Sequence, residues 1–108
     1  FLDLDGFKPI NDAFGHHTGD QLLCEVARRL QGHTRPCDTL ARIGGDEFVL
    51  LAEVADAAEA SLIAKQVITL VNRPFPVGEH ELRVSTSVGI ALYPADGSDQ
   101  QTLLMNAD

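Results

Sequence analysis

The sequence is poor in the residues that mark secreted and membrane proteins. Its 108 residues include no tryptophan and only two cysteines, Cys24 and Cys37, which make neither a metal motif nor a disulfide framework. They predict buried or idle thiols in a reducing compartment. No run approaches the ~18 continuous apolar residues of a membrane span, and no signal peptide is recognisable. We predict a cytoplasmic segment without membrane contact, although another segment of a larger parent protein could be membrane-anchored.

Basic residues are also scarce. The 8 lysines and arginines face 16 acidic residues, and the formal net charge is -8. Nucleic-acid-binding proteins usually carry basic patches that neutralise phosphates, so the composition argues against a nucleic-acid partner. An acidic domain can still bind a nucleotide when magnesium supplies the positive charge. Apolar residues make up 44% of the chain, which is enough for the core of one domain and argues against disorder.

Strand and helix patterns alternate along the first half of the chain. Leu22, Val26 and Leu30 recur at helical spacing and predict an amphipathic helix. Gly44 and Gly45 separate two apolar runs and favour a tight hairpin turn with positive φ. The predicted elements are a strand at 1–5, a helix at 7–14, a loop at 16–19, a helix at 20–34, and hairpin strands at 39–43 and 47–52, the last of them central.

The second half adds two helices and a hairpin. Asp56 and Glu59 form a plausible capping box for a helix that ends near Asn72. Residues 75–93 predict a second hairpin around Gly78, and small residues on one face of its return strand would let a helix approach closely. Ser98 and Gln101 are predicted to cap a last helix that includes Asp108. This order predicts an α+β fold, with an antiparallel-centred mixed sheet covered by helices.

Acidic residues stand where the pattern would otherwise bury apolar ones. Asp3 lies in the first strand, and Asp46 and Glu47 lie at the tip of the first hairpin. Burying such charges costs several kcal/mol unless they are paired or bound to metal. If the two elements are neighbours, Asp3 and Asp46 can share a cleft suited to magnesium, which prefers oxygen ligands. The alternatives are surface carboxylates beside strand ends and, for Gly44 and Gly45, an ordinary turn.

Other polar residues allow both functional and structural interpretations. Asn11 and Asp20 could together read the edge of guanine, because Asn donates and accepts while Asp accepts; otherwise they are an exposed helix residue and an N-cap. Lys8 could contact a phosphate or simply be solvated. Arg35 and Asp38, three residues apart, could be an exposed ion pair worth at most about 1 kcal/mol.

Five blocks of the sequence resemble the GGDEF family of diguanylate cyclases, and together they cover nearly the whole chain. The signature after which the family is named is matched by the segment from Arg42 to Phe48. The other blocks are the segment from Phe1 to Asp12, Gly15-His16 with Gly19-Asp20, the segment from Ser87 to Ala91, and Asn106-Ala107-Asp108. The resemblance implies a palm-like fold related to nucleotide cyclases and polymerases, ferredoxin-like in its element order.

The resemblance also implies roles for individual residues. It implies an enzyme that joins two GTP molecules into cyclic di-GMP, with two magnesium ions in each half-site and one GTP on each domain of a homodimer. Asp46 and Glu47 would act on the ribose 3′-hydroxyl. The implied metal ligands are Asp3, the Leu4 carbonyl and Asp46; the implied substrate contacts are Lys8, Asn11, His16, Asp20, Gly44 and Gly45; and Arg35 and Asp38 match a product-binding inhibitory pair.

Family members extend further than this segment in both directions. The resemblance implies that residues 1–108 are a domain core without the family's leading helix and its C-terminal helix and strand, so the isolated segment is expected to be a poor enzyme. The segments at 1–8 and 93–97 look like members joined to an EAL phosphodiesterase domain. The alternative function is a non-catalytic module that binds GTP or cyclic di-GMP.

Overall fold

The computed structural model describes residues 1–107. Asp108, at the end of the predicted last helix, lies outside the described residues. The elements in chain order are β1 (Leu2–Asp5), α1 (Phe7–Phe14), α2 (His16–Gln31), β2 (Thr39–Arg42), β3 (Glu47–Leu51), α3 (Ala57–Asn72), β4 (Phe75–Val77), β5 (His80–Leu82), β6 (Ser85–Val88) and α4 (Gln100–Ala107).

The main sheet has four strands in the order β2-β3-β1-β6, and β4 and β5 form a separate two-stranded sheet. Every strand pair in the described part of the chain is antiparallel. The predicted α+β fold is confirmed, as is the internal position of β3 between β2 and β1. The first strand therefore lies beside the hairpin that carries the glycine pair, which is the arrangement that the proposed shared cleft required.

One face of the main sheet makes the core, because strand side chains alternate between faces. Leu2 and Leu4 of β1 are buried, whereas Asp5 is exposed and Asp3 is half-buried on the other face. Apolar residues of α1, α2, α3, β3, the small sheet and the segment before β6 complete the core cluster: Phe7, Ile10, Leu22, Leu23, Val26, Leu30, Phe48, Val67, Val71, Phe75, Val77, Leu82 and Val84. The helices thus bury the leucine face of β1 and leave its acidic face accessible.

A single residue joins the first two helices. The loop predicted at 16–19 is wrong, because α2 already begins at His16. Gly15 has φ 90, a region open to glycine at little cost. Its N–H donates to the Asn11 carbonyl at 2.8 Å, and its own carbonyl accepts from the Gly19 N–H at 3.1 Å. One residue therefore ends α1 and starts α2, and no longer loop is needed; α2 ends at Gln31, before the predicted 34.

The predicted start of α3 is confirmed. The Asp56 side chain accepts a hydrogen bond of 2.9 Å from the Glu59 N–H, as an N-cap does. Glu59 Oε2 accepts from the Ala55 N–H at 2.8 Å, one residue before the reciprocal contact of a standard capping box. The helix ends at Asn72, as the following proline indicated.

The single hairpin predicted for 75–93 is wrong. Phe75 pairs with Leu82 within the small sheet, but Ser85 pairs with Asp5 in the main sheet. The chain changes sheets after Leu82, and the strand pattern could not reveal this because alternation does not specify a partner. Gly78, with φ 60, lies in the turn between β4 and β5, as expected.

The last helix packs against the sheet through a glycine. A methyl group on Gly89 would lie 1.5 Å from the Ala107 carbonyl oxygen, which confirms that small residues here let a helix approach closely. The predicted Ser98 cap is wrong. The Asp99 carboxylate accepts from the Thr102 N–H at 2.8 Å and is the capping group, since it stands directly before Gln100.

Two observations concern the predictions about the cysteine thiols and about membrane contact. Cys24 and Cys37 are both free thiols and both exposed, not buried. Across residues 1–107, no helix combines the length and the apolar character that a membrane crossing would require.

Candidate functional site

Two acidic side chains oppose each other on neighbouring strands. Asp3 of β1 and Glu47 of β3 are direct partners in the antiparallel register. Direct partners project from the same face, and like charges in this position are destabilising when nothing compensates them. Both residues are half-buried. The strand register therefore concentrates negative charge at one point of the open sheet face.

Asp46 is connected to β1 through the backbone. The Leu4 N–H donates to the Asp46 carbonyl at 3.0 Å. Because the N–H and C=O of one strand residue point to the same side, the Leu4 carbonyl is also directed towards the Asp46 edge. The segments Asp3-Leu4 and Asp46-Glu47 are thus immediate neighbours.

The turn between β2 and β3 differs from the predicted two-residue turn. Neither Gly44 nor Gly45 is among the glycines with positive φ, because the connection uses the four residues from Ile43 to Asp46. The Ile43 N–H donates to the Glu47 carbonyl at 3.0 Å. Arg42 Nε donates to the carbonyls of Gly44 and Gly45, both at 3.1 Å. The arginine side chain therefore holds the turn in place.

The Glu47 carboxylate lies over this turn. A methyl group on Gly44 would lie 2.7 Å from Glu47 Oε1, whereas one on Gly45 would meet nothing within 4 Å. Gly45 thus leaves open space on the outer side of the turn. A ligand could approach the backbone closely there.

The donor atoms around this point fit a hard divalent cation. They are carboxylate oxygens of Asp3 and Asp46 and the carbonyl of Leu4, and magnesium takes oxygen ligands from few protein groups while keeping several waters. Paired acidic residues also need a compensating positive charge. Within residues 1–107, however, no three His, Cys, Asp or Glu side chains are grouped closely enough to hold a metal by themselves. Water or substrate oxygens would have to complete the coordination.

Asp5 extends the acidic face of β1. Its Oδ2 accepts a hydrogen bond of 2.8 Å from Ser87 Oγ on β6. Ser87 is the direct register partner of Asp3, and Asp5 lies two residues after Asp3 on the same strand. The same strand pair is joined by the Thr86 hydroxyl, which donates to the Asp3 carbonyl at 2.9 Å. These bonds fix the backbone of β1 on the side opposite Asp46.

The proposed guanine contacts meet at the junction of α1 and α2. Asn11 contacts Gly19, because a methyl group there would lie 1.8 Å from Asn11 Oδ1. Asp20 is the next residue of α2, and His16 lies four residues before it, on the same helix face. Lys8 is exposed on α1. The structure thus places Asn11 against Gly19, the residue before Asp20. Asp20 begins no helix and is not the N-cap that its alternative interpretation required.

Asp20 also lines a cleft of about 320 Å³ between α2 and the turn of the small sheet. The opposite wall is made by Pro76, Val77 and Gly78. The cleft is open to solvent and carries the exposed carboxylate of Asp20 at its edge. The adjacent His17 lines it as well, so the neighbouring histidines differ in their surroundings.

Arg35 and Asp38 form a closely bonded pair at the other end of β2. The Arg35 backbone N–H donates to Asp38 Oδ2 at 2.8 Å, and its Nη2 donates to Oδ1 at 3.1 Å. Arg35 also reaches Glu59 Oε1 at 3.3 Å and the Glu53 carbonyl at 2.7 Å. The Asp38 side chain is 6% exposed and that of Arg35 is 42% exposed. Both line a cleft of about 630 Å³ under α3.

This pairing changes the acidity of both groups. The pKa of Asp38 lies below its usual value, first because the Arg35 backbone N–H bonds its carboxylate and then because the Arg35 side chain does. The pKa of Arg35 is raised, chiefly by its side-chain hydrogen bond to Asp38. Asp38, Glu59 and the Glu53 carbonyl thus hold the Arg35 guanidinium in place, and part of it stays exposed to solvent.

The family profile described as "Diguanylate cyclase, GGDEF domain" matches residues 1–108. The chain belongs to the GGDEF domain family. MucR of Pseudomonas aeruginosa, a bifunctional diguanylate cyclase/cyclic di-GMP phosphodiesterase, is 52% identical over 108 residues, which cover 100% of this chain and 16% of MucR. The chain thus spans about a sixth of that relative's length.

Solved GGDEF domains have the same fold. The crystal structure of the GGDEF domain of YfiN (TpbB) from Pseudomonas aeruginosa matches with a TM-score of 0.93 and 42% identity, covering 99% of this chain and 68% of that one. The GGDEF domain of DgcB from Caulobacter crescentus, solved in complex with c-di-GMP, matches with a TM-score of 0.83 and 27% identity, covering 99% and 64%. The expected palm-like cyclase fold is therefore confirmed.

Several contacts in this GGDEF domain had no sequence signal. Arg42 belongs to the matched signature segment, but only the structure reveals its bonds to the glycine carbonyls. Glu59 was recognised as a capping residue, and its contact with Arg35, 24 positions away, requires the tertiary fold. The Asp5–Ser87 bond likewise joins strands that are distant in sequence.

Proposed function

We propose that this GGDEF domain, within its parent protein, is a diguanylate cyclase that condenses two GTP molecules into cyclic di-GMP and two pyrophosphates. The observation that carries the proposal is the register of β1 and β3, which pairs Asp3 with Glu47 and bonds Leu4 to Asp46. Signature carboxylates and first-strand carboxylates are thereby adjacent. Family membership and the match to named cyclases agree with this activity.

Magnesium would be held by the carboxylates of Asp3 and Asp46 and by the Leu4 carbonyl, two ions in each half-site. Bound there, it would favour ionisation of the attacking hydroxyl and stabilise the charge on the leaving pyrophosphate. In this proposal Asp46, with Glu47 beside it, helps remove the proton of the ribose 3′-hydroxyl. Gly44 and Gly45 form the turn that the triphosphate would approach, with Gly45 on the open side and Gly44 beneath the Glu47 carboxylate. Lys8 contacts a phosphate.

Guanine recognition is assigned to the junction of α1 and α2. Asn11 and Asp20 supply complementary hydrogen-bonding groups, and their proximity through the Asn11–Gly19 contact supports this role. His16, on the Asp20 face of α2, is proposed as a further substrate contact. A base held there would be joined through its ribose and phosphates to the acidic end of β1, since only Gly6 separates β1 from α1.

The reaction needs two domains. Each would hold one GTP, and each 3′-hydroxyl would attack the α-phosphate on the partner, so a homodimer is proposed. The segment 1–108 is proposed as the core of the domain, completed by family segments on either side and located in the cytoplasm. An EAL domain in the parent protein is consistent with the relative MucR, which has both activities in its name.

The pair Arg35 and Asp38 is proposed as an inhibitory site for cyclic di-GMP. A partly exposed guanidinium suits a phosphate, and the carboxylate beside it suits the donors of guanine. The complex of DgcB with c-di-GMP shows that a related domain binds this molecule. Product would bind at the opposite end of the β2–β3 hairpin from the signature turn.

The test of catalysis uses the full parent protein with GTP and magnesium. Asp46→Asn should lower cyclic di-GMP formation by at least about a hundredfold, the contribution expected of a general base or a ligand in its place. Glu79→Gln, which removes one negative charge from an exposed turn, is the matched control and should keep activity. Formation of product at the same rate by Asp46→Asn would contradict the proposal.

A non-catalytic binding module is the second candidate. The observation that favours it is the separation of the Arg35–Asp38 pair from the acidic strand pair, which would let product bind without turnover. Calorimetry with GTP and with cyclic di-GMP distinguishes the two. Binding of either nucleotide by a wild-type protein that forms no product would favour the module, and Arg35→Ala should weaken only the binding of cyclic di-GMP.

A further inference from the structure

Gly19 lies inside helix α2, at its contact with α1. A methyl group at this position would lie 1.8 Å from Asn11 Oδ1, 2.8 Å from Asn11 Cγ and 3.3 Å from Phe7 Cζ. The first two distances are far below any van der Waals contact. The Asn11 carboxamide therefore occupies the space where a side chain at position 19 would stand.

No hydrogen bond holds that carboxamide oxygen in its place. Asn11 Oδ1 is buried and has no hydrogen-bond partner in the described part of the chain. Buried polar atoms are normally bonded, so the location of this group must be set by the shape around it. The notch that receives it is made by Gly19, which has no side chain, and by the buried ring of Phe7.

The glycine is otherwise unfavourable at this position. Glycine in a helix interior is disfavoured relative to alanine, and its presence there usually has a packing or functional reason. Gly32, just after the same helix, provides the contrast, because a methyl group there would come no closer than 3.5 Å to the Arg28 carbonyl. A methyl group on Gly44 would also meet a polar side chain, Glu47 Oε1 at 2.7 Å, but Gly44 lies in a turn, whereas Gly19 lies in a helix and its contact with Asn11 Oδ1 is much closer.

We propose that Gly19 is a positioning residue that fixes the Asn11 carboxamide against α2, one residue before Asp20, and thereby sets the selection of guanine. This inference rests on the proposed function, in which Asn11 reads the base. Any larger residue at 19 would push the carboxamide out of the notch. The chain could accommodate that movement, because the clashing atoms are the end of one side chain, so recognition would fail while folding survived.

The experiment compares Gly19→Ala, Asn11→Ala and the double variant in the full parent protein, with Gly32→Ala as the matched control. Gly19→Ala should lower kcat/KM for GTP by at least about tenfold, the effect of one lost hydrogen bond, and should reduce the preference for GTP over ATP. Its Tm should be unchanged or raised, because alanine favours the helix. Gly32→Ala should match the wild type in kcat/KM for GTP and in the preference for GTP over ATP.

The double variant provides the decisive comparison. Its kcat/KM should equal that of Asn11→Ala within about twofold, because the added methyl group has no carboxamide left to displace. Equal losses from Gly19→Ala in the presence and absence of Asn11 would overturn the inference, as would a Gly19→Ala protein with wild-type selectivity.

The outcomes that would overturn the proposed function differ from those that would overturn the role of Gly19. A wild-type protein that binds GTP in calorimetry but forms no cyclic di-GMP overturns the cyclase activity alone, and the same four variants then test Gly19 through GTP affinity. A wild-type protein that neither binds nor converts GTP overturns both proposals.

Discussion

At the scale of single residues, the hydrogen bonds between Arg35 and Asp38 change the pKa of the Asp38 carboxyl group, and the effect of this change on stability can be measured. The pKa of Asp38 is lowered in the folded state. The stability that this contributes is fully present above the unfolded value of about 3.9, and it is lost as the pH falls through the lower folded value. The pair should therefore stabilise the domain at neutral pH and stop doing so in acid.

Asp38→Asn tests this directly. The Tm of the variant should fall below that of the wild type at pH 6–7. The difference should shrink as the pH falls below about 4 and close once the pH passes the lower pKa of the folded Asp38 carboxylate. Thermal unfolding followed by circular dichroism across this range provides the measurement. Glu79→Gln controls for the loss of one charge, and a constant difference between wild type and Asp38→Asn at every pH would contradict the expectation.

At the scale of elements, one arginine ties helix α2 to the end of α3. Arg29 Nη1 donates to the carbonyls of Leu70 and Arg73 at 2.9 and 2.8 Å, and Nη2 donates to that of Pro74 at 2.7 Å. Its guanidinium carbon lies 3.6 Å from the centre of the Phe75 ring, within the range of a cation–π contact. Leu70 lies in the last turn of α3, and Arg73 and Pro74 follow the helix, in a region where backbone carbonyls lack the usual intrahelical donors.

Arg29→Ala should lower the free energy of unfolding by about 2 kcal/mol, because charged hydrogen bonds and a ring contact are lost together. The neighbouring Arg28→Ala is the control. Arg28 bonds only Glu25 and its side chain is 73% exposed, so its loss should change stability by less than about 1 kcal/mol. Urea unfolding of both variants provides the comparison, and equal effects would show that Arg29 does not join the two helices.

Sequence patterns predicted elements well wherever one face had to be buried. The amphipathic stripe from Leu22 to Leu30 predicted the existence of α2, and the Asp56 cap predicted the start of α3. The alternating pattern at 84–92 predicted the wrong strand partner, because alternation does not show which sheet a strand joins. Sequence patterns also missed the start of α2, since a single glycine replaced the expected loop. Residue chemistry and position predicted most candidate site residues and the family resemblance assigned their roles, whereas the contact between Asn11 and Gly19 needed three-dimensional packing.

At the scale of the whole molecule, Gly89 joins the end of β6 to the C-terminal helix. Its N–H donates to the Phe1 carbonyl at 2.8 Å, so it also extends the pairing with the start of the chain. A methyl group at 89 would meet the Ala107 carbonyl oxygen at 1.5 Å. Backbone cannot rotate away as a side chain can, so the clash must displace α4 or strand β6.

Gly89→Ala should therefore lower the Tm of the domain by several degrees, the effect of about 1–3 kcal/mol in a domain of this size. Hydrogen exchange in α4 should accelerate more than exchange in α2. Gly32→Ala, whose methyl group would have room, should leave both measurements unchanged. Wild-type exchange rates in α4 of Gly89→Ala would contradict the predicted displacement.

Because Gly15 alone links α1 to α2, the number of residues in this link matters as much as their identity. An α-helix turns by about 100° for each residue, so one extra residue beside Gly15 would rotate α1 out of phase with α2. The Asn11 side chain would then face away from the notch even though every residue of both helices was unchanged. The contact between Asn11 and Gly19, and with it the nucleotide recognition proposed for this junction, therefore depends on an unchanged number of residues between positions 11 and 19.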